Sequence, residues 1–350
     1  MNTDEKYMLR CLELARKGTG SVSPNPMVGC VIVYHNTIIG EGYHERCGEA
    51  HAEVNAVRSV TNPELLTEST LYVTLEPCAH FGKTPPCSDL IVEKKIPKVV
   101  IGTIDPFAEV AGKGIEKLKN AGIEVTLGVL QNECRELNKR FFTFHQKQRP
   151  YIILKWAQTQ DGFIDVNRNS ADFGEPTWIT GNEALIRVHQ LRAEEDAIMV
   201  GTNTAEKDNP SLTVRHCEGK NPLRIILDRK LRLSKNLKLF DQSTPTLVIN
   251  SFLNKTEENT EFISVDFDTN LLIRILDILY QKNILSLIVE GGRQLLQAFI
   301  DQNLWDEAQV YTGAKKFGSG VPAPVLDLSD ATKETIGKDE LRLIRNPNQG

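Results

Sequence analysis

Residues 70–87 read TLYVTLEPCAHFGKTPPC. The first six are β-branched, aromatic or aliphatic, the make-up of a buried strand. The strand runs into Glu76, Pro77 and Cys78, and after eight intervening residues the chain supplies Cys87. Upstream, His51-Ala52-Glu53 opens a helical stretch expected over residues 51–60. One imidazole and two thiolates suit Zn²⁺. Three protein ligands leave a fourth tetrahedral position for water, as in catalytic sites, and a water held there has its pKa lowered to about 7. Glu53, two positions beyond His51, falls in the first helical turn, where its carboxylate reaches that water without ligating the metal. A carboxylate so placed takes a proton from water and returns one to a departing amine, as hydrolytic deamination requires. A closed structural site with His80 as fourth ligand stays open at this point, although it leaves Glu53 without a role. Cys30 and Cys47 read as small buried thiols.

Working outward, residues 4–17 form an amphipathic helix, and strands at 28–34 and 37–42 make a hairpin around His35-Asn36. Strands at 99–103 and 124–129 alternate with helices at 88–94 and 114–120, and one helix over 132–144 closes the unit. This alternation predicts an α/β sandwich with a mixed sheet over residues 1–146. The polar stretch Gln146–Pro150 ends it, since proline stops helix propagation. A second α/β domain, residues 150–350, restarts with an apolar strand at 151–157. Further strands fall at 197–200, 224–228, 247–250, 262–265, 286–289 and 308–312. Thr180-Gly181-Asn182-Glu183 fits a capping box opening a helix to about Ala193, and residues 271–281 and 295–300 are helical. No Gly-x-Gly-x-x-Gly follows a strand, so a Rossmann dinucleotide site has no support. Glu290-Gly291-Gly292-Arg293, at a strand end entering a helix, lets backbone amides approach an anion.

Composition narrows the function. The 41 Lys and Arg against 46 Asp and Glu give a net charge of −5, which argues against a protein that gains its affinity from nucleic-acid phosphates. No apolar run approaches the roughly 20 residues that span a bilayer, and the N-terminal stretch is amphipathic rather than signal-like, so membrane attachment is not expected. Seven cysteines, an odd and sparse count, point to a reducing cytoplasm and to thiols rather than disulfides.

His51-x-Glu53 followed by Pro77-Cys78 and Cys87 resembles the zinc-dependent cytidine deaminase superfamily, whose cysteines are ordinarily two residues apart. The insertion 79–86 is similar to that of one branch, the bifunctional riboflavin-biosynthesis deaminase–reductases. Ser23–Gly29 and Gly42-Tyr43-His44 also match this branch. In the second half, Lys155–Gly162, Trp178-Ile179-Thr180 and Asp208–Arg215 resemble the reductase part of the same family. The resemblance implies a cytidine deaminase-like α/β/α sandwich followed by a dihydrofolate reductase-like α/β domain. It implies Zn²⁺ on His51, Cys78 and Cys87, Glu53 as the catalytic acid–base, and Asn25, His44 and Lys83 on the substrate. In the reductase it implies NADPH at Ala157, Trp178, Thr204, Asp208 and Gly292, and substrate at Arg192, Leu212, Arg215 and Glu290. The implied partner is a small phosphorylated pyrimidine, with a homo-oligomer as the assembly. The runner-up reading is a single-activity nucleoside or tRNA deaminase with a C-terminal binding module.

Overall fold

The structure is a computed structural model that describes residues 2–79, 81, 85–107, 111–169, 172–174 and 176–349. The chain divides into two compact units, Met1–Gln148 and Arg149–Gly350.

The first unit runs α1 (Thr3–Arg16), β1 (Gly29–Tyr34), β2 (Thr37–Tyr43), α2 (Ala52–Ser59), β3 (Thr70–Leu75), α3 (Cys87–Glu93), β4 (Lys98–Thr103), α4 (Lys113–Asn120), β5 (Glu124–Leu127), α5 (Gln131–Leu137) and α6 (Lys139–Lys147). Its sheet has the order β2-β1-β3-β4-β5. β1 is antiparallel to both neighbours, and β3, β4 and β5 are parallel. Successive strand side chains point to opposite faces. Cys30 and Ile32 therefore enter one buried cluster with Ala52, Ala56, Ile91 and Leu118. Val31 and Val33 enter another with Tyr7, Met8, Leu12 and Cys134. Both faces are thus covered, which makes the sandwich. Two glycines set how closely the layers approach. A Cβ on Gly29 would lie 1.9 Å from the Cys11 carbonyl oxygen, and one on Gly42 would lie 2.3 Å from the Ala56 nitrogen. The second contact presses α2, and with it His51 and Glu53, onto the sheet.

The helix expected over 132–144 is two helices. Asn138 leaves helical geometry, with φ −108° and ψ 25°, and its side chain bridges Met27. It accepts the Met27 N–H and donates to the Met27 carbonyl, both at 2.8 Å. A long-range side-chain bridge outweighs one helical turn here. The strand expected to reach Val129 stops at Leu127, where Gly128 turns the chain at φ +95°.

The second unit runs β6 (Tyr151–Thr159), β7 (Phe163–Asp165), α7 (Asn182–Glu194), β8 (Ala197–Gly201), α8 (Thr202–Asp208), β9 (Leu223–Leu227), β10 (Thr246–Asn250), β11 (Lys255–Glu257), β12 (Thr260–Ser264), α9 (Leu271–Gln281), β13 (Ser286–Val289), α10 (Arg293–Asp301), β14 (Glu307–Gly313), β15 (Val321–Pro322), β16 (Thr332–Ile336) and β17 (Asp339–Arg345). Ten strands form one sheet in the order β11-β12-β10-β9-β8-β13-β6-β14-β17-β16, parallel from β12 through β14 and antiparallel at the edges. Ile152, Leu154, Met199 and Val289 pack with Ile275, Leu279 and Phe299 on one face. Ile153, Ile198, Val200 and Ile288 pack with Leu191 on the other. Parallel strands buried on both sides read as apolar runs for this reason.

The capping box expected at Thr180 does not form. α7 starts one residue later, with Gly181 at its N-cap and no side-chain cap. The Gly181 N–H donates instead to Asp339 Oδ2 at 2.7 Å. Asp339 belongs to the C-terminal hairpin β16–β17, which the sequence reading did not anticipate.

Candidate active sites

In the first unit, β3 and the N-termini of α2 and α3 converge. His51 is the N-cap of α2, and Cys87 is the first residue of α3. Cys78 lies three residues beyond β3. His51, Cys78 and Cys87 each offer one ligand atom, all within 4.8 Å of one another. His51 Nδ1 is 3.6 Å from Cys78 Sγ and 3.3 Å from Cys87 Sγ. The Cys87 N–H donates to Cys78 Sγ at 3.3 Å. Hydrogen bonding from Cys87, then from His51 against burial, lowers the Cys78 thiol to about 4, while the bond to Cys78 and burial raise Cys87. The bond to Cys78 raises His51 to about 9 despite burial. The trio thus holds exchangeable protons around a soft N,S,S set, and a cation of borderline softness would displace those protons. The donor set fits Zn²⁺.

Glu53 sits in the first turn of α2, 3% exposed. Burial pushes its carboxyl up to about 7, opposed by His51 and reinforced by Cys78. A carboxyl poised near neutrality both accepts and donates protons at working pH.

Asn25 and His44 come to the same place. Asn25 Nδ2 donates to His44 Nε2 at 3.0 Å, and His44 Nδ1 donates to the Ala50 carbonyl at 3.1 Å. The His44 ring stands edge-on to His51 with centroids 5.5 Å apart. Burial lowers the His44 pKa, and the two hydrogen bonds fit a ring protonated on Nδ1. Lys83 and His80 lie outside the described residues.

Glu76 has no role that its place in the sequence motif reveals. Its carboxylate is buried and accepts four backbone N–H groups: Asp105 at 3.3 Å, Gly112 at 3.0 Å, Gly114 at 2.9 Å and Ile115 at 3.2 Å. It caps the start of α4 and ties it to the turn that carries Cys78. A glutamate at the end of an apolar strand, two residues before a ligand, was the available signal.

In the second unit a cavity of about 890 Å³ lies along the carboxyl ends of β6, β8, β9 and β13. Ligands of open α/β sheets bind at that edge. Ala157, Thr204, Asp208, Glu290 and Gly292 line it. A Cβ on Gly292 would come within 3.0 Å of Thr204 Oγ1. Asp208 is engaged by Arg168 at 2.8 Å, and burial raises its pKa despite that partner. Trp178 is 55% exposed and does not line the cavity, although its neighbours Thr177 and Ile179 do.

Arg192, Leu212 and Arg215 are not in the lining either: Arg192 reaches it through Glu290, Leu212 is buried in the core with Leu191 and Ile198, and Arg215 bonds to Ser211 and Thr213. Arg192 binds the Glu290 carboxylate at 3.1 and 2.7 Å and reaches the Thr213 carbonyl at 3.4 Å. Burial pushes Glu290 up, yet Arg192 and Lys155 hold it down at about 2. Lys155 also lines the cavity, and burial lowers its ammonium against the pull of Glu290. In the sequence Lys155 opens the Lys155–Gly162 stretch without a spacing that marks a role. Asn209, at the C-cap of α8, adopts φ +43°, a left-handed conformation that asparagine tolerates.

Residues 1–103 match the cytidine and deoxycytidylate deaminase zinc-binding region, and residues 150–342 match the RibD C-terminal domain. The riboflavin biosynthesis protein RibD of Aquifex aeolicus is 43% identical over 326 residues, covering 91% of this chain and 89% of that protein. This chain belongs to the RibD family. The RibD of Actinobacillus pleuropneumoniae is 41% identical over 90% of this chain and 85% of its own length. Among solved structures, a diaminohydroxyphosphoribosylaminopyrimidine deaminase/5-amino-6-(5-phosphoribosylamino)uracil reductase from Thermotoga maritima superimposes with a TM-score of 0.88. It is 39% identical, covering 98% of this chain and 99% of its own.

As a RibD, the chain is a bifunctional enzyme of riboflavin biosynthesis, with a cytidine deaminase-like domain and a reductase domain. It is both a hydrolase and an oxidoreductase, and its cofactors are Zn²⁺ and NADPH. The comparisons do not favour a single-activity nucleoside or tRNA deaminase, because the second half is itself a RibD reductase domain. No helix among the described residues is long and apolar enough to cross a membrane.

Proposed function

We propose that residues 1–146 hydrolyse the 2-amino group of 2,5-diamino-6-(5-phosphoribosylamino)pyrimidin-4(3H)-one, releasing ammonia. We propose further that residues 150–350 reduce the ribosyl chain of the product to ribityl. The observation that carries the reading is the buried Glu53 carboxyl beside a His51–Cys78–Cys87 cluster.

His51, Cys78 and Cys87 would hold the zinc ion. When bound, Zn²⁺ supplies the Lewis acidity that makes water acidic at neutral pH. Glu53 takes the proton from the attacking water and hands one to the leaving amine, a single carboxyl serving both halves of the exchange. Asn25 and His44, locked to one another, present a fixed donor–acceptor pattern to the pyrimidine edge, and Lys83 is assigned to the phosphate.

In the reductase, Ala157, Trp178, Thr204, Asp208 and Gly292 are assigned to NADPH, which supplies hydride for C1 of the ring-opened ribose. Arg192, Leu212, Arg215 and Glu290 are assigned to the substrate, the guanidinium of Arg215 to its phosphate. Positioning dominates this step. The support is the cavity that Ala157, Thr204, Asp208, Glu290 and Gly292 line, and the ion pair joining Arg192 to Glu290.

We place the enzyme in the cytoplasm as a homo-oligomer, acting on small molecules without nucleic acid or membrane. None of its seven cysteines is in a disulfide, which fits a reducing compartment. Light scattering measures the assembly. Assaying ammonia release and NADPH oxidation on one preparation tests the function. Both activities on the phosphorylated aminopyrimidine are expected, and ammonia release without NADPH oxidation contradicts the reading.

A further inference from the structure

His189, on α7, has no exposed surface. Its Nδ1 accepts the backbone N–H of Arg215 at 3.0 Å. The ring proton therefore sits on Nε2, which is buried and has no partner among the described residues. A leucine would fill that space without burying an unpaired N–H, a cost the fold bears for the sake of the acceptor.

What the acceptor holds is a segment with no regular structure of its own. Residues 211–215 belong to no helix or strand and are fixed by side chains. The Val214 N–H donates to Asn221 Oδ1 at 2.8 Å, and Arg224 reaches the Ser211 carbonyl at 3.4 Å. His189 supplies the tether at Arg215 itself. The Arg215 guanidinium is then steadied by the hydroxyls of Ser211 and Thr213. His189 and Arg192 are three residues apart and share a helix face. α7 thus delivers both to one place: Arg192 grips Glu290 and the Thr213 carbonyl, and His189 grips Arg215. The His216 ring, edge-on at 4.6 Å, packs against the His189 imidazole.

We propose that His189 is a positioning residue of the reductase, whose unprotonated Nδ1 holds the Arg215 backbone so that its guanidinium meets the substrate phosphate. The proposal rests on the assignment of Arg215 to that phosphate.

The test uses the full-length, zinc-loaded chain and steady-state reduction of 5-amino-6-(5-phosphoribosylamino)uracil. His189→Leu should raise KM about tenfold, the scale of misplacing one charged hydrogen-bonding group. Its kcat, NADPH affinity by fluorescence titration, and ammonia release should stay near wild type. His189→Asn, whose Oδ1 can accept the same N–H, should restore most of the KM. In combination with Arg215→Ala, His189→Leu should add nothing further. A wild-type KM in His189→Leu, equal impairment of the Leu and Asn variants, or additivity in the double variant overturns the proposal. So does a loss of NADPH binding that parallels the loss of substrate binding, which marks a merely structural residue. An unchanged KM in Arg215→Ala sinks the Arg215 assignment itself. Failure of the His189 proposal alone shows as an Arg215→Ala effect without a His189→Leu effect.

Discussion

The two sites are built in different ways. The deaminase cluster is made of side chains with distinctive chemistry, drawn from 37 consecutive residues, His51 to Cys87. The reductase cavity is made largely of strand ends, glycine backbone and ion pairs, drawn from residues 155 to 322. In the first, the proposed chemistry rests on one carboxyl and one cation site. In the second, charged pairs such as Arg192–Glu290 and Arg168–Asp208 hold a shape. Side-chain chemistry tolerates no substitution, whereas a shaped cavity degrades by increments.

Perturbing each half separately exposes that difference. Removal of zinc by a chelator should abolish ammonia release and leave NADPH oxidation on the deaminated substrate unchanged. Parallel loss of both would erase the distinction. Glu53→Gln should lower ammonia release by about 10²–10⁴-fold, the range of a lost acid–base group, while metal analysis still finds one zinc per chain. Near-normal deamination in that variant would remove Glu53 from the mechanism. Arg215→Ala should be milder, raising the reductase KM by about 10–100-fold through one lost charge-assisted contact, with ammonia release untouched.

The smallest effect is on stability in acid. The Glu290 carboxyl is held at about 2, below the ordinary value of roughly 4.3. Between those values the unfolded chain binds more protons than the folded one. The stabilisation from Glu290 is therefore complete above about pH 4.5 and fades as pH falls toward 2. The melting temperature of wild type should drop more steeply from pH 5 to 2.5 than that of Glu290→Gln. Identical slopes would mean that the Arg192 and Lys155 contacts do not stabilise the folded carboxylate.

The same contrast explains what could be read from the sequence. His51, Glu53, Cys78 and Cys87 were legible because few other tasks need those groups at those spacings. The apolar runs of β1 and β13 were legible from their composition. The break at Asn138 was not, because its partner Met27 is 111 residues away. The true N-cap of α7 was hidden for the same reason, since Asp339 lies 158 residues on. β16 escaped notice because four of its five residues are exposed, so no buried face imposes a pattern. Lys155, Arg168 and the His189 tether are ordinary residues until the fold surrounds them.

The central claim is a zinc ion held by two sulfurs and one imidazole, with one coordination position open to solvent. X-ray absorption at the zinc edge of the full-length chain measures that directly. The account predicts two sulfur neighbours near 2.3 Å and two lighter neighbours near 2.0–2.1 Å, with only one of them an imidazole. A closed shell, with a third sulfur or a second imidazole in place of solvent, would contradict it.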